Sequence, residues 1–163
     1  MDQVKPADGI ELERATAPIA EVRTLVGELE ATLSAHYPAH QRHGLKLDSL
    51  FEPHIRFYVA RLGGVPAGCG GVAFLDGFAE LKRMYVREAL RGRGVADAVL
   101  RRLEAEAGEA GYVVLRLETG DKQLAAMRFY ERAGFRRRAA FGAYAAMPPE
   151  ATQTSVFMEK LLP

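Results

Sequence analysis

The sequence has little cysteine, no tryptophan and no long apolar run. Cys69 is the only cysteine among 163 residues. A single cysteine cannot form an intramolecular disulfide, which favours a reducing compartment. No run approaches the roughly 18 apolar residues of a membrane span, and residues 1–15 contain no apolar core of signal-peptide length. These absences predict a cytoplasmic protein without a membrane partner. Cys69 lies among small apolar residues in "AGCGGVAF", which predicts a buried thiol.

The composition is that of one globular domain, which we predict to span residues 1–163. The chain is 48% hydrophobic and 26% charged, and its net charge of +1 excludes a general polyanion binder. The charge is uneven, however. Residues 82–102 contain seven basic and two acidic side chains, whereas residues 1–31 contain seven acidic and three basic ones. The positive field is therefore concentrated in one segment.

The periodicity of apolar residues predicts a mixed α/β fold. Alternating or short apolar runs indicate strands, and apolar steps of three and four residues indicate helices. The crossover from 79 to 118 makes two strands parallel, while hairpins make the remaining pairs antiparallel. The continuous apolar run "YVVLRLE" predicts a strand buried on both faces. Strands are predicted at 10–16, 56–61, 67–75, 78–86, 112–118, 135–141 and 154–162, and helices at 17–33, 93–111 and 119–134.

The segment "RGRGVA" at 91–96 combines two glycines, two arginines and a predicted helix start. Helix N-termini expose unpaired N–H groups and carry a partial positive charge. Glycine lets an anion approach the backbone closely, and arginine adds charge and paired donors. The segment therefore predicts a phosphate or pyrophosphate site, with a solvated basic helix start as the alternative. The patterns G-x-x-x-x-G-K-[ST] and G-x-G-x-x-G are absent.

These motifs resemble the GNAT (GCN5-related) N-acetyltransferases over most of residues 10–162. "RGRGVA" fits the family's R/Q-x-x-G-x-G/A motif, and "ELKRMYV", "LRLETG" and "FYERAGF" follow in the family's order. Two positions depart from it. Glu88 stands where the family often has proline, and Asp121 and Gln123 are the candidates where it often has asparagine.

The resemblance implies the GNAT fold, with a mostly antiparallel sheet and a central parallel pair, and acetyl-CoA as cosubstrate without a metal. The pyrophosphate would lie on the amides of the "RGRGVA" segment, and the pantetheine arm would pair with the end of the preceding strand. Gln123 would add a contact. The cofactor-binding residues expected on this basis are Met84, Tyr85, Val86, Arg91, Gly92, Arg93, Gly94, Val95, Ala96 and Gln123.

Acetyl transfer to an amine needs a group that removes the ammonium proton, because alkylammonium groups have a pKa of about 10.4. Glu80 is the first candidate for this base. It stands four residues before Met84, so strict alternation would place both side chains on one face, and histone-modifying family members have Glu at this place. Glu118 is the second candidate. A structural carboxylate paired with Lys82 is the alternative role for Glu80.

Tyr130 in "RFYERAGF" stands where many GNAT proteins have the tyrosine that protonates the CoA sulfur. A phenol has a pKa of about 10, so it carries a proton at neutral pH. The alternative is an aromatic core residue, but Phe129 is the expected core residue of this helix.

The resulting expectation is an N-acetyltransferase for a primary amine of a small molecule or peptide, with direct attack in a ternary complex. The rivals are a catalytically silent GNAT domain that binds acyl-CoA as a sensor and, less in keeping with the motifs, a nucleic-acid-binding domain. His36, His40 and His43 are expected to line a substrate pocket rather than hold a metal, because Pro38 interrupts their alignment. "RRR" at 136–138 predicts a solvated strand edge or a contact to the adenosine phosphate, not a nucleic-acid partner. The resemblance leaves a homodimer open.

Overall fold

The computed structural model describes residues 9–163. The part of the N-terminal composition argument that falls on residues 1–8 lies outside them. The strands are β1 (Ile10–Ala15), β2 (Ile55–Leu62), β3 (Val65–Phe74), β4 (Ala79–Val86), β5 (Val114–Gly120), β6 (Arg136–Arg138) and β7 (Ser155–Leu161). The helices are α1 (Ala20–His36), α2 (Val95–Glu109), α3 (Leu124–Arg132) and the single turn α4 (Pro149–Thr152).

All seven strands form one sheet in the order β1-β2-β3-β4-β5-β7-β6. Only the β4–β5 pair is parallel among the described strands, since α2 returns the chain across the sheet between them. The predicted mixed sheet with one central parallel pair is confirmed. Within the described residues no helix is long and apolar enough to cross a membrane.

The sheet is covered on both faces. On one face Val99 and Leu103 of α2 pack with Leu81 and Leu117 of the sheet. On the other face Val22, Leu25 and Val26 of α1 pack with inward residues of β2 and β3. Each large side chain buried in this way stabilises the folded state by about 1.5–3 kcal/mol. Cys69 is 1% exposed in the α1 cluster, and burial raises the pKa of its thiol to about 12, so the thiol is an inert core group.

Several boundaries differ from the predicted ones. The helix predicted at 119–134 begins only at Leu124, because Thr119 and Gly120 extend β5. β5 is not buried on both faces: Leu115 and Leu117 are buried, while the other residues of the strand are half-buried. The exposed residue Val113 precedes the strand. The apolar run therefore overstated the burial of this strand.

A β-bulge in β4 positions the residues of greatest chemical interest. The β3–β4 register shifts between Cys69 and Gly71, and Arg83 has a left-handed φ of 55°. For a residue with a Cβ this conformation costs roughly 1–2 kcal/mol. The extra residue reverses the alternation, so Leu81 and Met84 both pack toward α2. Glu80 therefore faces away from Met84, and the expectation that they share a face is wrong.

Candidate functional site

The central feature of the site is a gap between β4 and β5. The two strands pair only at Ala79–Leu115 and Glu80–Arg116. Beyond these pairs β4 stays with β3 as far as Val86, while β5 stays with β7 as far as Gly120. The parallel strands therefore diverge and leave one edge of each without a strand partner.

The end of β4 presents free backbone groups to this gap. The Arg87 amide donates to Ala67 of β3 at 2.9 Å, and alternate residues of a strand direct their amides to opposite sides. The Val86 and Met84 amides therefore point into the gap. Tyr85 is different: its backbone pairs with Cys69, and its hydroxyl donates to Glu28 at 3.0 Å on the α1 face. The expected cofactor contact of Tyr85 has no free backbone group.

The loop between β4 and α2 ends in a left-handed backbone conformation that favours glycine. Gly92 and Gly94 have φ values of 78° and 84°, and Gly94 is the residue before the first turn of α2. The first backbone bond into the helix runs from the Ala98 amide to Gly94. Among the described residues, no partner is found for the amides from Gly92 to Asp97. Six consecutive amides at a helix N-terminus fit an anionic pyrophosphate.

Arginine side chains lie at the rim of this loop rather than inside it. Arg91 and Arg93 are exposed. Arg91 Nε donates to the Val86 carbonyl at 3.2 Å, so this carbonyl is shared between the loop and the gap. Gln123 precedes α3 and lines the cavity in the gap. Arg136 and Arg137 are exposed on the edge strand β6, as expected for a solvated edge.

A cavity occupies the gap and brings the sequence-predicted catalytic residues together. Glu80, Glu118 and Tyr130 all line it. Its far wall is formed by residues outside the recognised motifs, among them Tyr37 at the end of α1, the segment Gln41–Gly44 and Tyr144. His43 is the cavity-lining member of the histidine cluster. The part of the chain from residue 9 onward contains no group of three or more His, Cys, Asp or Glu side chains that could hold a metal ion.

Glu80 is 3% exposed and is held by two donors. The Tyr144 hydroxyl donates to Glu80 Oε2 at 2.7 Å, and Lys82 Nζ lies 2.7 Å from the same oxygen. Oε1 has no hydrogen-bond partner among the described residues. Because both donors use one oxygen, the other remains for a molecule in the cavity. Burial raises the pKa of Tyr144, and the neighbouring Glu80 charge raises it further.

Glu118 forms a separate carboxyl site in the same cavity. It accepts a hydrogen bond of 2.6 Å from the Ser155 hydroxyl. Burial raises the pKa of Glu118, while the Ser155 bond and the charges of His43 and Lys82 oppose that rise. A carboxyl group with a raised pKa holds its proton closer to neutral pH, which suits proton transfer. The cavity thus contains two carboxyl groups in different environments.

Tyr130 is 7% exposed, whereas Phe129 is only half-buried, so the expected assignment of these two rings to the core is reversed. The Tyr130 ring packs edge-on against Phe135. Burial raises the pKa of its phenol, which therefore stays protonated at neutral pH. Its hydroxyl makes no hydrogen bond to another described residue. The ring is a core residue, and its hydroxyl is free to serve the cavity it lines.

His43 lines this cavity, in keeping with its expected place in a substrate pocket, whereas the sequence patterns single out no role for Tyr144. Tyr144 packs its ring with Phe78, Phe141 and Phe157 and directs its hydroxyl to the cavity. Its only signal in the sequence is an aromatic residue within an irregular loop, which does not reveal a contact across 64 positions.

Comparison with known proteins assigns the family. The model of the acetyltransferase (GNAT) family matches residues 23–135. An IAA acetyltransferase from Azospirillum brasilense is 41% identical over 140 residues, which cover 85% of this chain and 88% of that protein. A crystal structure from Klebsiella pneumoniae has a TM-score of 0.75 at 31% identity and covers 94% of this chain and 98% of that one.

A further crystal structure contains the cosubstrate. It is a GNAT family acetyltransferase from Elizabethkingia anophelis with acetyl-CoA bound, and it has a TM-score of 0.68 at 19% identity. It covers 96% of this chain and 100% of that one. Four observations point to the same family: the divergent strands, the free amides before α2, the family match and the 41% identical relative. The chain belongs to the GNAT family and is an acetyl-CoA-dependent acetyltransferase.

Proposed function

We propose that this protein transfers the acetyl group of acetyl-CoA to a primary amine of a small molecule or peptide, by direct attack in a ternary complex. The observation that carries the proposal is the placement of two carboxyl groups and a free phenol in the gap between β4 and β5, next to the free amides. A binding module without activity needs the amides and the gap, but it has no use for Glu80, Glu118 and Tyr130 around one cavity.

Different residues around the gap hold different parts of the cosubstrate. Acetyl-CoA supplies the activated acetyl thioester. The amides from Gly92 to Ala96 hold the pyrophosphate, and the Met84 and Val86 amides hold the pantetheine arm. Arg91 and Arg93 border the pyrophosphate, and Gln123 borders the pantetheine arm. The Met84 amide also stabilises negative charge on the acetyl oxygen, since a fixed donor in a dry site favours the charge that develops there.

The catalytic roles follow from which groups can accept a proton and which can donate one. Glu80 removes the ammonium proton through its free Oε1, because the other oxygen is held by Tyr144 and Lys82. Glu118 is the alternative base. Tyr130, protonated because burial raises its pKa, donates to the departing sulfur. A cytoplasmic location and a homodimer are likewise proposals.

The test is a substitution that opposes the pyrophosphate, with a matched control. Gly94→Asp places a side chain and a negative charge at the free amides, and Gly77→Asp introduces the same strain in a distant turn with φ of 83°. Each should cost about 1–2 kcal/mol of stability because of the left-handed backbone. Only Gly94→Asp should weaken CoA binding, by at least about tenfold, as measured by calorimetry.

Turnover is tested with a library of primary amines and a free-thiol assay. Release of CoA that depends on an amine supports the proposal. CoA binding that Gly94→Asp abolishes, together with no turnover of any amine, would leave the sensor reading instead. Equal CoA affinity in both variants would show that the glycine loop has only a structural role.

A further inference from the structure

Two arginines in the wall of the cavity lack enough anionic partners. Arg42 Nη1 lies 3.2 Å from Glu30 Oε2, and Arg83 Nη2 pairs with Glu30 Oε1. Two guanidinium groups thus share one carboxylate, and Glu30 is itself 39% exposed. The pair of arginines retains a net positive charge.

Both guanidinium groups also have an unused donor. Arg42 Nε and Arg83 Nη1 are buried atoms with no hydrogen-bond partner among the described residues. The Arg83 side chain is only 5% exposed, and its other nitrogens Nε and Nη2 donate to the Leu45 carbonyl. A buried donor without a partner is costly, and more so when it is charged. An unpaired buried donor requires a physical explanation, and a ligand that completes the site supplies one.

The backbone around Arg83 is built to hold this geometry. Arg83 adopts the left-handed φ of 55°, a strained conformation for a residue with a Cβ. A Cβ on Gly44 would collide with the Arg83 guanidinium group, so a larger residue there would displace that group. The bulge and the glycine together bring the guanidinium beneath the segment Arg42–Gly44.

The arginine pair belongs to the reaction cavity. Arg42, Gly44 and Arg83 line the cavity that contains Glu80 and Glu118. They also line a second cavity behind the segment, where Arg23 and Lys46 add two more cations and Glu30 is the one acidic residue. The wall between the two cavities therefore has a positive field, which attracts anions.

We propose that Arg42 and Arg83 bind a carboxylate of the acceptor, so that the acceptor is a small amine that also carries a carboxylate. This inference rests on the proposed acetyl transfer to an amine. Glu80 and Arg83 lie three residues apart on β4, which is less than about 10 Å along the strand because the bulge shortens it. An acceptor can therefore present its amine to Glu80 and its carboxylate to the arginines. The carboxylate reaches the two free donors by a local shift of residues 42–46, which have no regular secondary structure.

The test uses ligands of equal shape and different charge. γ-Aminobutyrate and its primary amide γ-aminobutyramide differ in one negative charge, and β-alanine and δ-aminovalerate with their amides vary the spacing. Binding is measured by calorimetry on protein saturated with CoA, so that the phosphate sites are occupied. The best acid of the series should bind at least about tenfold more tightly than its amide, as charge-assisted bonds to guanidinium groups predict.

Variants show whether Arg42 and Arg83 cause the preference. Arg42→Met should reduce it to about twofold or less, because Arg83 and Glu30 then balance. Arg42→Lys, which keeps the charge and is the variant of choice if the methionine protein is unstable, should retain only about threefold preference. Arg23→Met is the matched control: Arg23 lines only the second cavity and adds to the positive field without offering a donor to the acceptor, so its loss should lower the preference by less than about twofold.

The outcomes separate this inference from the proposed function. Acid and amide that bind equally, an acid preference that survives Arg42→Met, or no measurable binding of any acid would overturn the carboxylate site. If the amides are acetylated while no acid is preferred, acetyl transfer stands and the carboxylate site falls. If the acid is preferred but no amine is turned over, the anion site stands and acetyl transfer falls.

Discussion

The Tyr144 hydroxyl donates a hydrogen bond of 2.7 Å to Glu80, and both groups lie in the wall of one cavity. Lys82 Nζ completes the cluster, 3.0 Å from the Tyr144 hydroxyl and 2.7 Å from the carboxylate. The two donors orient Glu80, so that one of its oxygens is fixed and the other faces the cavity. Tyr144 is thereby a positioning residue for the proposed base.

Replacement of Tyr144 by Phe should separate this positioning role from packing. The ring stays in its cluster with Phe78, Phe141 and Phe157, so the free energy of unfolding should fall only by the two lost hydrogen bonds, about 1 kcal/mol each. Turnover should fall about tenfold at unchanged CoA affinity, because Glu80 loses one of its two donors.

The control for this variant is Tyr112→Phe. The Tyr112 hydroxyl donates to the Leu75 carbonyl at 2.9 Å and does not line the cavity. It should lose about 1 kcal/mol of stability for its one hydrogen bond and keep full turnover. Urea unfolding and steady-state kinetics measure the two effects. Full turnover in Tyr144→Phe would mean that Lys82 alone is enough to orient Glu80.

Tyr130→Phe tests the proposed acid. The substitution removes one hydroxyl that has no partner among the described residues, and the ring keeps its packing with Phe135, so stability should change little. If the phenol protonates the departing sulfur, kcat should fall by about 10²–10⁴-fold when that step limits the rate. CoA affinity should stay within about twofold.

The measurement for Tyr130→Phe is a kcat determined at saturating acetyl-CoA, together with calorimetric binding of CoA. A variant that loses CoA affinity and turnover together would show that Tyr130 only shapes the gap. A variant with unchanged kcat would show that the thiolate leaves without help from this residue.

The sequence predicts the frame of this site better than its far wall. The order of strands and helices follows from local periodicity, and the anion loop follows from Gly92, Gly94 and the helix start, all of which are local signals. The bulge at Arg83 is not visible in this way, since no local pattern marks a non-glycine residue with a left-handed backbone. That single residue reverses the faces of Glu80 and Met84 relative to simple alternation.

The contacts of Tyr144 and His43 are hidden from the sequence for a different reason. Tyr144 reaches Glu80 across 64 positions, and His43 approaches the Ala151 carbonyl at 2.6 Å across 108 positions. Such contacts depend on how irregular segments fold back over the sheet. Tyr130 and Phe129 illustrate a smaller limit, because adjacent helical residues can exchange roles when the helix rotates by one position.

The assignment of the base is decided by comparing Glu80→Gln with Glu118→Gln. If Glu80 removes the ammonium proton, Glu80→Gln should lose most activity at low pH. Its activity should recover as the pH approaches the pKa of the amine, about 10.4. Glu118→Gln should keep the parent profile. The reverse pattern, in which only Glu118→Gln loses the low-pH activity, would assign the base to Glu118.

Stability gives an independent check on Glu118, whose folded pKa is raised by burial from 4.5. A carboxyl group with a raised folded pKa favours the folded state most when it is protonated. This contribution is complete below about pH 4.5 and is lost as the pH rises through the folded value. Glu118→Gln should therefore gain stability relative to the parent as the pH rises from about 4.5 to about 7. Urea unfolding at both pH values measures the difference. A constant difference would mean that Glu118 titrates alike in both states, which removes the physical reason for regarding it as the alternative base.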